Sequence, residues 1–138
     1  MDVVYAIPAS LSIDFDAINA EHENLVSILN EALTKIRTEE DRRVDTVDES
    51  LEALSAAMQA HFNHEEQEMA SLGYGDLPLH KAQHARCIAR LDATRRSAAD
   101  NRIMNKQVLD DVFDMILDDV IRADSGFKSF LYARGILR

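Results

Sequence analysis

Apolar positions along this chain recur at intervals of three and four, the period of a helix with one buried face. Four such segments can be read directly. The first carries Ile18, Leu25, Leu29, Leu33 and Ile36; the second Leu51, Leu54, Met58 and Leu72; the third Leu77, Ile88 and Leu91; the fourth Leu109, Val112, Ile116 and Val120. Breaks fall at 38 to about 43, at 73–78 and at 98 to about 103. The middle break reads Gly73-Tyr74-Gly75-Asp76-Leu77-Pro78 and is the strongest turn signal in the sequence. Breaks this short place sequential helices antiparallel. The pattern predicts an all-α fold, an antiparallel up-down four-helix bundle over about 16–122. A non-helical N-terminal arm (1–15), with Asp14 or Asp16 capping the first helix, and a short C-terminal helix (123–138) complete a single domain, 1–138.

Composition supports this reading. Four glycines and two prolines in 138 residues favour long helices over a many-turned β architecture. The net charge of −10 argues against nucleic acid and anionic membranes as partners. No apolar run is long enough to span a bilayer, the start lacks a basic secretory signal, and the single cysteine, Cys87, excludes an internal disulfide framework. The expected location is cytoplasmic.

The informative residues are polar ones standing where the period calls for apolar ones. His22, His61, His80, His84 and Glu65 all occupy core positions of their stripes. Residues four apart differ by about 40° around a helix, so His61 and Glu65 point together, as do His80 and His84. In the fourth segment, a turn of about 100° per residue puts Asp110, Asp111, Asp114 and Asp118 opposite the apolar arc, as a solvated face. By the same count Asp119 falls within about 20° of Val112, and Asp124 about 120° away, so both flank the buried stripe. On an ideal helix these two cannot point the same way. A shared site requires them to straddle a metal pair or the helix to distort.

Depth provides an independent check. His22 and His61 lie about equally far from the first turn, and His84 and Asp119 about equally far from the third, so all four helices send polar groups into one layer. A single histidine of this kind is most simply a satisfied core residue. The set as a whole is different, because each unpartnered buried polar group costs about 1–3 kcal/mol and an unpaired carboxylate more. An ion-pair network is the bland alternative, but neutral imidazoles do little to balance carboxylate charge. A bound cation engages both ligand types. Imidazole with carboxylate and no thiolate admits iron, zinc, manganese or nickel, and seven side chains suit two adjacent ions better than one tetrahedral zinc.

These residues resemble the hemerythrin family, in particular its bacterial single-domain members. The matching text is Ile13-Asp14 and Glu21-His22, then His61-Phe62-Asn63-His64-Glu65-Glu66 with Met69 and Gly73-Tyr74, then His80-Lys81-Ala82-Gln83-His84, and finally Asp124. The resemblance covers roughly 12 to 130. It implies a non-haem centre of two iron ions that binds dioxygen reversibly. His22 and His61 would ligate the oxygen-binding iron, His80 and His84 the other, and Glu65 and Asp124 would bridge them.

One position departs from the family pattern. A fifth histidine belongs five residues before the last aspartate, and Asp119 stands there instead. Its inward phase makes it the expected seventh metal ligand, with a bridging water or a vacant position as alternatives. The departure keeps two further readings open beside dioxygen carriage, storage or sensing. One is a di-iron redox enzyme acting on peroxide or nitric oxide; the other is a metal-binding protein with a non-standard site. His64 reads as a partly exposed neighbour, Ile116 with Leu25 or Met58 as the apolar wall of a gas pocket, and Cys87 as a small buried apolar residue.

Overall fold

The computed structural model describes residues 4–9, 16–38 and 43–135. Among them the chain is helical almost throughout: α1 (Asp16–Thr38), α2 (Arg43–Ser71), α3 (Leu77–Asn101), α4 (Lys106–Met115) and α5 (Ser125–Ala133). Between α4 and α5 the chain stays helical but changes winding, first as a π turn (Ile116–Ile121), then as a 3-10 turn (Arg122–Asp124). α4 to α5 thus form one rod, the fourth of an antiparallel four-helix bundle, as the apolar period predicts.

The ends of the helices have local causes. α2 stops at Gly73, whose φ of 72° is a left-handed conformation glycine adopts without penalty. The Gly73 N–H donates to the Ala70 carbonyl and the Tyr74 N–H to the Met69 carbonyl (2.9 Å), closing the last turn in a Schellman motif. Pro78 sits in the first turn of α3, where its missing N–H is not needed. α3 continues to Asn101, beyond the break expected at 98, and ends with the same closure: Ile103 N–H donates to the Ala98 carbonyl at 3.0 Å. Here the left-handed residue is Arg102 (φ 54°) rather than glycine, so the sequence lacked the usual stop signal. Asn105 caps α4, its side chain accepting from the Val108 N–H at 3.2 Å. The expected break at 38 to about 43 and the cap Asp14 lie largely or wholly outside the described residues. Asp16 is already the first residue of α1.

Two apolar clusters fill the bundle. The larger includes Leu25, Leu29, Leu51, Leu54, Met58, Phe62, Cys87, Leu91, Leu109, Val112 and Ile116. The smaller, at the Gly73 end, joins Ile18, Met69, Phe127 and Leu131, with Tyr74 and Phe130 packed against it. Tyr5 in the arm pins α1 to α4. Its N–H donates to Asn30 (2.7 Å), its hydroxyl to Asp110 (2.6 Å), and its ring packs on Phe113. Burial and the Asp110 carboxylate both push the Tyr5 phenol above its ordinary pKa. Asp111, Asp114 and Asp118 are exposed, the solvated face that the helical count assigns them.

Arg102 pays a conformational penalty that glycine would not, and its ion pair with Asp45 (3.5 Å) is largely solvent-exposed. Arg102→Gly is therefore expected to stabilise the fold by about 0.5–1 kcal/mol in urea unfolding, and Gly73→Ala to destabilise it by about 1–2 kcal/mol.

Candidate metal centre

One polar layer, about a helical turn thick, separates the two apolar clusters. On α1 the order is Ile18, His22, Leu25; on α2 it is Phe62, Glu65, Met69, with His61 alongside. On α3 it is Leu77, His80, His84, Cys87, and on the fourth rod Ile121, Asp124, Phe127. All six polar residues are at most 3% exposed, and Glu65 and Asp124 are fully buried.

Their reactive atoms converge. Asp124 Oδ2 lies 3.0 Å from His22 Nε2, and its Oδ1 lies 3.1 Å from His80 Nε2. Glu65 Oε1 lies 2.8 Å from His80 Nε2 and 3.1 Å from His84 Nε2, while Oε2 is 3.4 Å from His61 Nε2. The Nε2 atoms of His22 and His61 face each other at 3.2 Å. Two overlapping donor groups result. His22, His61, Glu65 and Asp124 form one, His80, His84, Glu65 and Asp124 the other, with the donor atoms of each within 4.8 Å of one another. Both carboxylates belong to both groups.

The backs of two imidazoles are held by carboxylates of the bundle surface. Glu21 Oε1 lies 3.2 Å from His61 Nδ1, and Glu66 Oε2 lies 2.9 Å from His84 Nδ1. Such partners fix ring orientation and raise the basicity of the inward nitrogen. Phe62 adds a third restraint by stacking on the His84 ring, centroids 3.9 Å apart and planes 9° from parallel. The sequence reading missed the orienting roles of Glu21 and Glu66. Their signal was adjacency, since each directly neighbours a core polar residue on an exposed flank. His64, with a side chain 40% exposed, reaches Glu21 at 2.8 Å and stays outside the layer, as its register implied.

Asp119 does not join the other six. Its carboxylate pairs with Arg90 at the rim of α3, and its side chain is 29% exposed. The cause is the winding of the fourth rod. In the π turn the Arg122 N–H donates to the Leu117 carbonyl, five residues back, so each residue advances less than the 100° or so of an α-helix. The inward phase expected for Asp119 assumed an undistorted helix. The tighter 3-10 turn that follows delivers Asp124 into the layer. The distortion that a shared site demanded is present, and it brings in one aspartate while leaving the other outside.

Electrostatics and hydrogen bonding test whether a cation fits. Glu65 Oε2 is a buried side-chain oxygen with no hydrogen-bond partner, a costly arrangement unless something else engages it. Without a cation, protons take over its role. Burial alone would lower His80, but hydrogen bonds to Asp124 and Glu65 overcome it and raise the imidazole to about 9. Burial would raise Asp124, but hydrogen bonds from His22 and His80 hold it down at about 2. His61 goes the other way, pushed down by burial. A buried carboxylate oxygen that makes no hydrogen bond, with His61 Nε2 3.4 Å away, amid imidazole and carboxylate ligands, fits a transition-metal cation.

These shifts fix a pH profile for the metal-free chain. Asp124 contributes stability above the ordinary carboxylate value of 3.8, lost as pH falls toward about 2. His80 contributes stability below 6.5, lost as pH rises through about 9. Chelator-treated protein is expected to be most stable between these limits, with Tm falling on the alkaline side, and a bound cation should flatten that alkaline fall. A metal-free Tm that stays level from pH 6 to pH 10 would contradict the His80 assignment.

Comparison with known proteins agrees with the geometry. The model of the family described as hemerythrin HHE cation binding domain matches residues 14–122. Asp124 thus lies just past the matched segment, while the other five converging residues lie within it. No curated protein and no solved structure gives a significant match. With most of its length covered by that match, the chain belongs to the hemerythrin HHE cation-binding family.

Proposed function

We propose that the polar layer holds two iron ions and that the protein binds dioxygen there, for carriage, storage or sensing. The observation that carries this reading is the sharing of Glu65 and Asp124 between two histidine pairs, with Glu65 Oε2 making no hydrogen bond. His22 and His61 would hold one ion, His80 and His84 the other, and the two carboxylates would bridge them. Ferrous iron supplies the electrons that dioxygen binding requires.

The chain's own contribution is positioning and exclusion. Glu21 and Glu66 fix two of the imidazoles, and Phe62 locks the His84 ring plane. Leu25, Met58 and Ile116, all fully buried, belong to the apolar cluster on one side of the layer, and Phe127 and Met69 to the cluster on the other. That enclosure keeps bulk water and protons away, which favours reversible binding over oxidation. Among the described residues no helix is long and apolar enough to cross a membrane.

A second reading, a redox enzyme acting on peroxide or nitric oxide, is favoured by the one departure. With Asp119 paired to Arg90, the His80/His84 side keeps only two imidazoles and the shared carboxylates, leaving room for a further ligand.

Anaerobic loading with ferrous iron is expected to give about two irons per chain, in keeping with di-iron sites of helical bundles. Exposure to air should produce a visible charge-transfer band that disappears under vacuum. Glu65→Gln should lower the iron content by at least half while the helical signal is retained. Irreversible conversion to ferric protein on first exposure would contradict carriage. Sustained turnover of peroxide or nitric oxide, abolished by His61→Ala, would establish the enzymatic reading.

A further inference from the structure

The two imidazole pairs of the metal layer are braced differently from outside. On one side Glu66 Oε2 meets His84 Nδ1 at 2.9 Å and, among the described residues, makes no second hydrogen bond. On the other, Glu21 of α1 is gripped by two imidazoles of α2. Its Oε1 lies 3.2 Å from Nδ1 of the buried His61, and both of its oxygens lie 2.8 Å from Nδ1 of His64. His61 and His64 stand three residues apart, neighbours on one side of the helix. A continuous run of contacts therefore leads from the partly exposed His64, through Glu21 and His61, into the layer.

Hydrogen positions follow from what a carboxylate can do. An ionised carboxylate only accepts, so each imidazole carries a proton on the Nδ1 that faces Glu21. In a neutral His61 ring that leaves Nε2 as a bare lone pair. This nitrogen lies 3.4 Å from Glu65 Oε2, the buried oxygen that makes no hydrogen bond. Two acceptors face each other there, as they must at a nitrogen kept ready for a cation. Glu21 by itself would hold this arrangement loosely. Its side chain is 27% exposed, and a long, flexible side chain loses rotamer freedom when it is fixed. His64 engages both carboxylate oxygens and so sets their direction in advance.

We propose that His64 is a positioning residue of the metal centre, holding Glu21 against His61 Nδ1 so that His61 Nε2 points into the layer as an acceptor. The proposal rests on the metal-centre reading above. It adds that the two positions are braced by different means, one through a surface histidine, the other by the Phe62 ring stacked on His84.

Histidine nitrogen NMR of the metal-free full chain reads the tautomers directly. His61 is expected to carry its proton on Nδ1 in wild type. In His64→Ala it should become a mixture of both tautomers, while His84, braced by Glu66, keeps its own. Cobalt(II) titration reads the consequence. With His84→Ala leaving only the His22/His61 pair intact, His64→Ala should weaken binding about three- to fivefold, the scale of a partly exposed charged pair. In the His61→Ala background it should change binding by less than about 1.5-fold, since the residue it acts through is gone. His64→Asn should recover most of the loss, because its side-chain amide nitrogen takes the place of Nδ1. An unchanged His61 tautomer in His64→Ala would overturn the proposal, as would equal weakening in both backgrounds or no recovery with asparagine. The NMR comparison needs no second substitution, so it decides the matter even where a double variant does not fold. A wild-type chain that binds neither cobalt nor iron would instead sink the metal-centre reading, and this proposal with it.

Discussion

Two carboxylates buried among four imidazoles set the terms for the rest of this structure. Glu65 and Asp124 are fully enclosed between apolar clusters, and an ionised group in such surroundings must be paired or it is not tolerated. Three kinds of feature follow from that requirement. The four Nε2 atoms turn inward toward the carboxylates. Carboxylates on the outer surface, Glu21 and Glu66, hold the backs of two rings. The fourth rod abandons regular α winding to deliver Asp124.

That change of winding is the most specific feature of the fold. π turns are rare and concentrate where function needs a side chain re-aimed. Here the turn occupies Ile116–Ile121, directly before the one aspartate that reaches the layer. A regular helix would have kept its hydrogen-bond ladder but directed Asp124 well away from the stripe of Val112. Six residues of altered winding exchange that regularity for a carboxylate shared by both groups of converging side chains. The same exchange leaves Asp119 at the rim, where Arg90 receives it.

Most of this architecture was legible in the sequence, and the exceptions have physical reasons. Apolar spacing was enough for the four helices, because burial of one face is a periodic constraint. His22, His61, Glu65, His80 and His84 could be found as polar interruptions of that period, and they do converge. By helical phase alone Asp124 was ambiguous, and the family resemblance was what named it as a ligand, while Asp119 was placed inward; both phases assumed about 100° per residue through a segment that is not α-helical. The end of α3 was set too early because Arg102 performs a turn usually given to glycine. Glu21 and Glu66 were overlooked as orienting groups since their role depends on which way a neighbouring helix's ring nitrogen points. That is a tertiary fact.

The central claim is that a cation, not a proton network, is what this polar layer is built to hold. Elemental analysis of the purified chain, combined with its Tm before and after exhaustive chelation, tests it most directly. The account requires transition metal in the purified protein and a Tm several degrees lower once it is removed, as expected when a ligand binds only the folded state. A metal-free protein whose Tm does not respond to chelation or to added iron would contradict it.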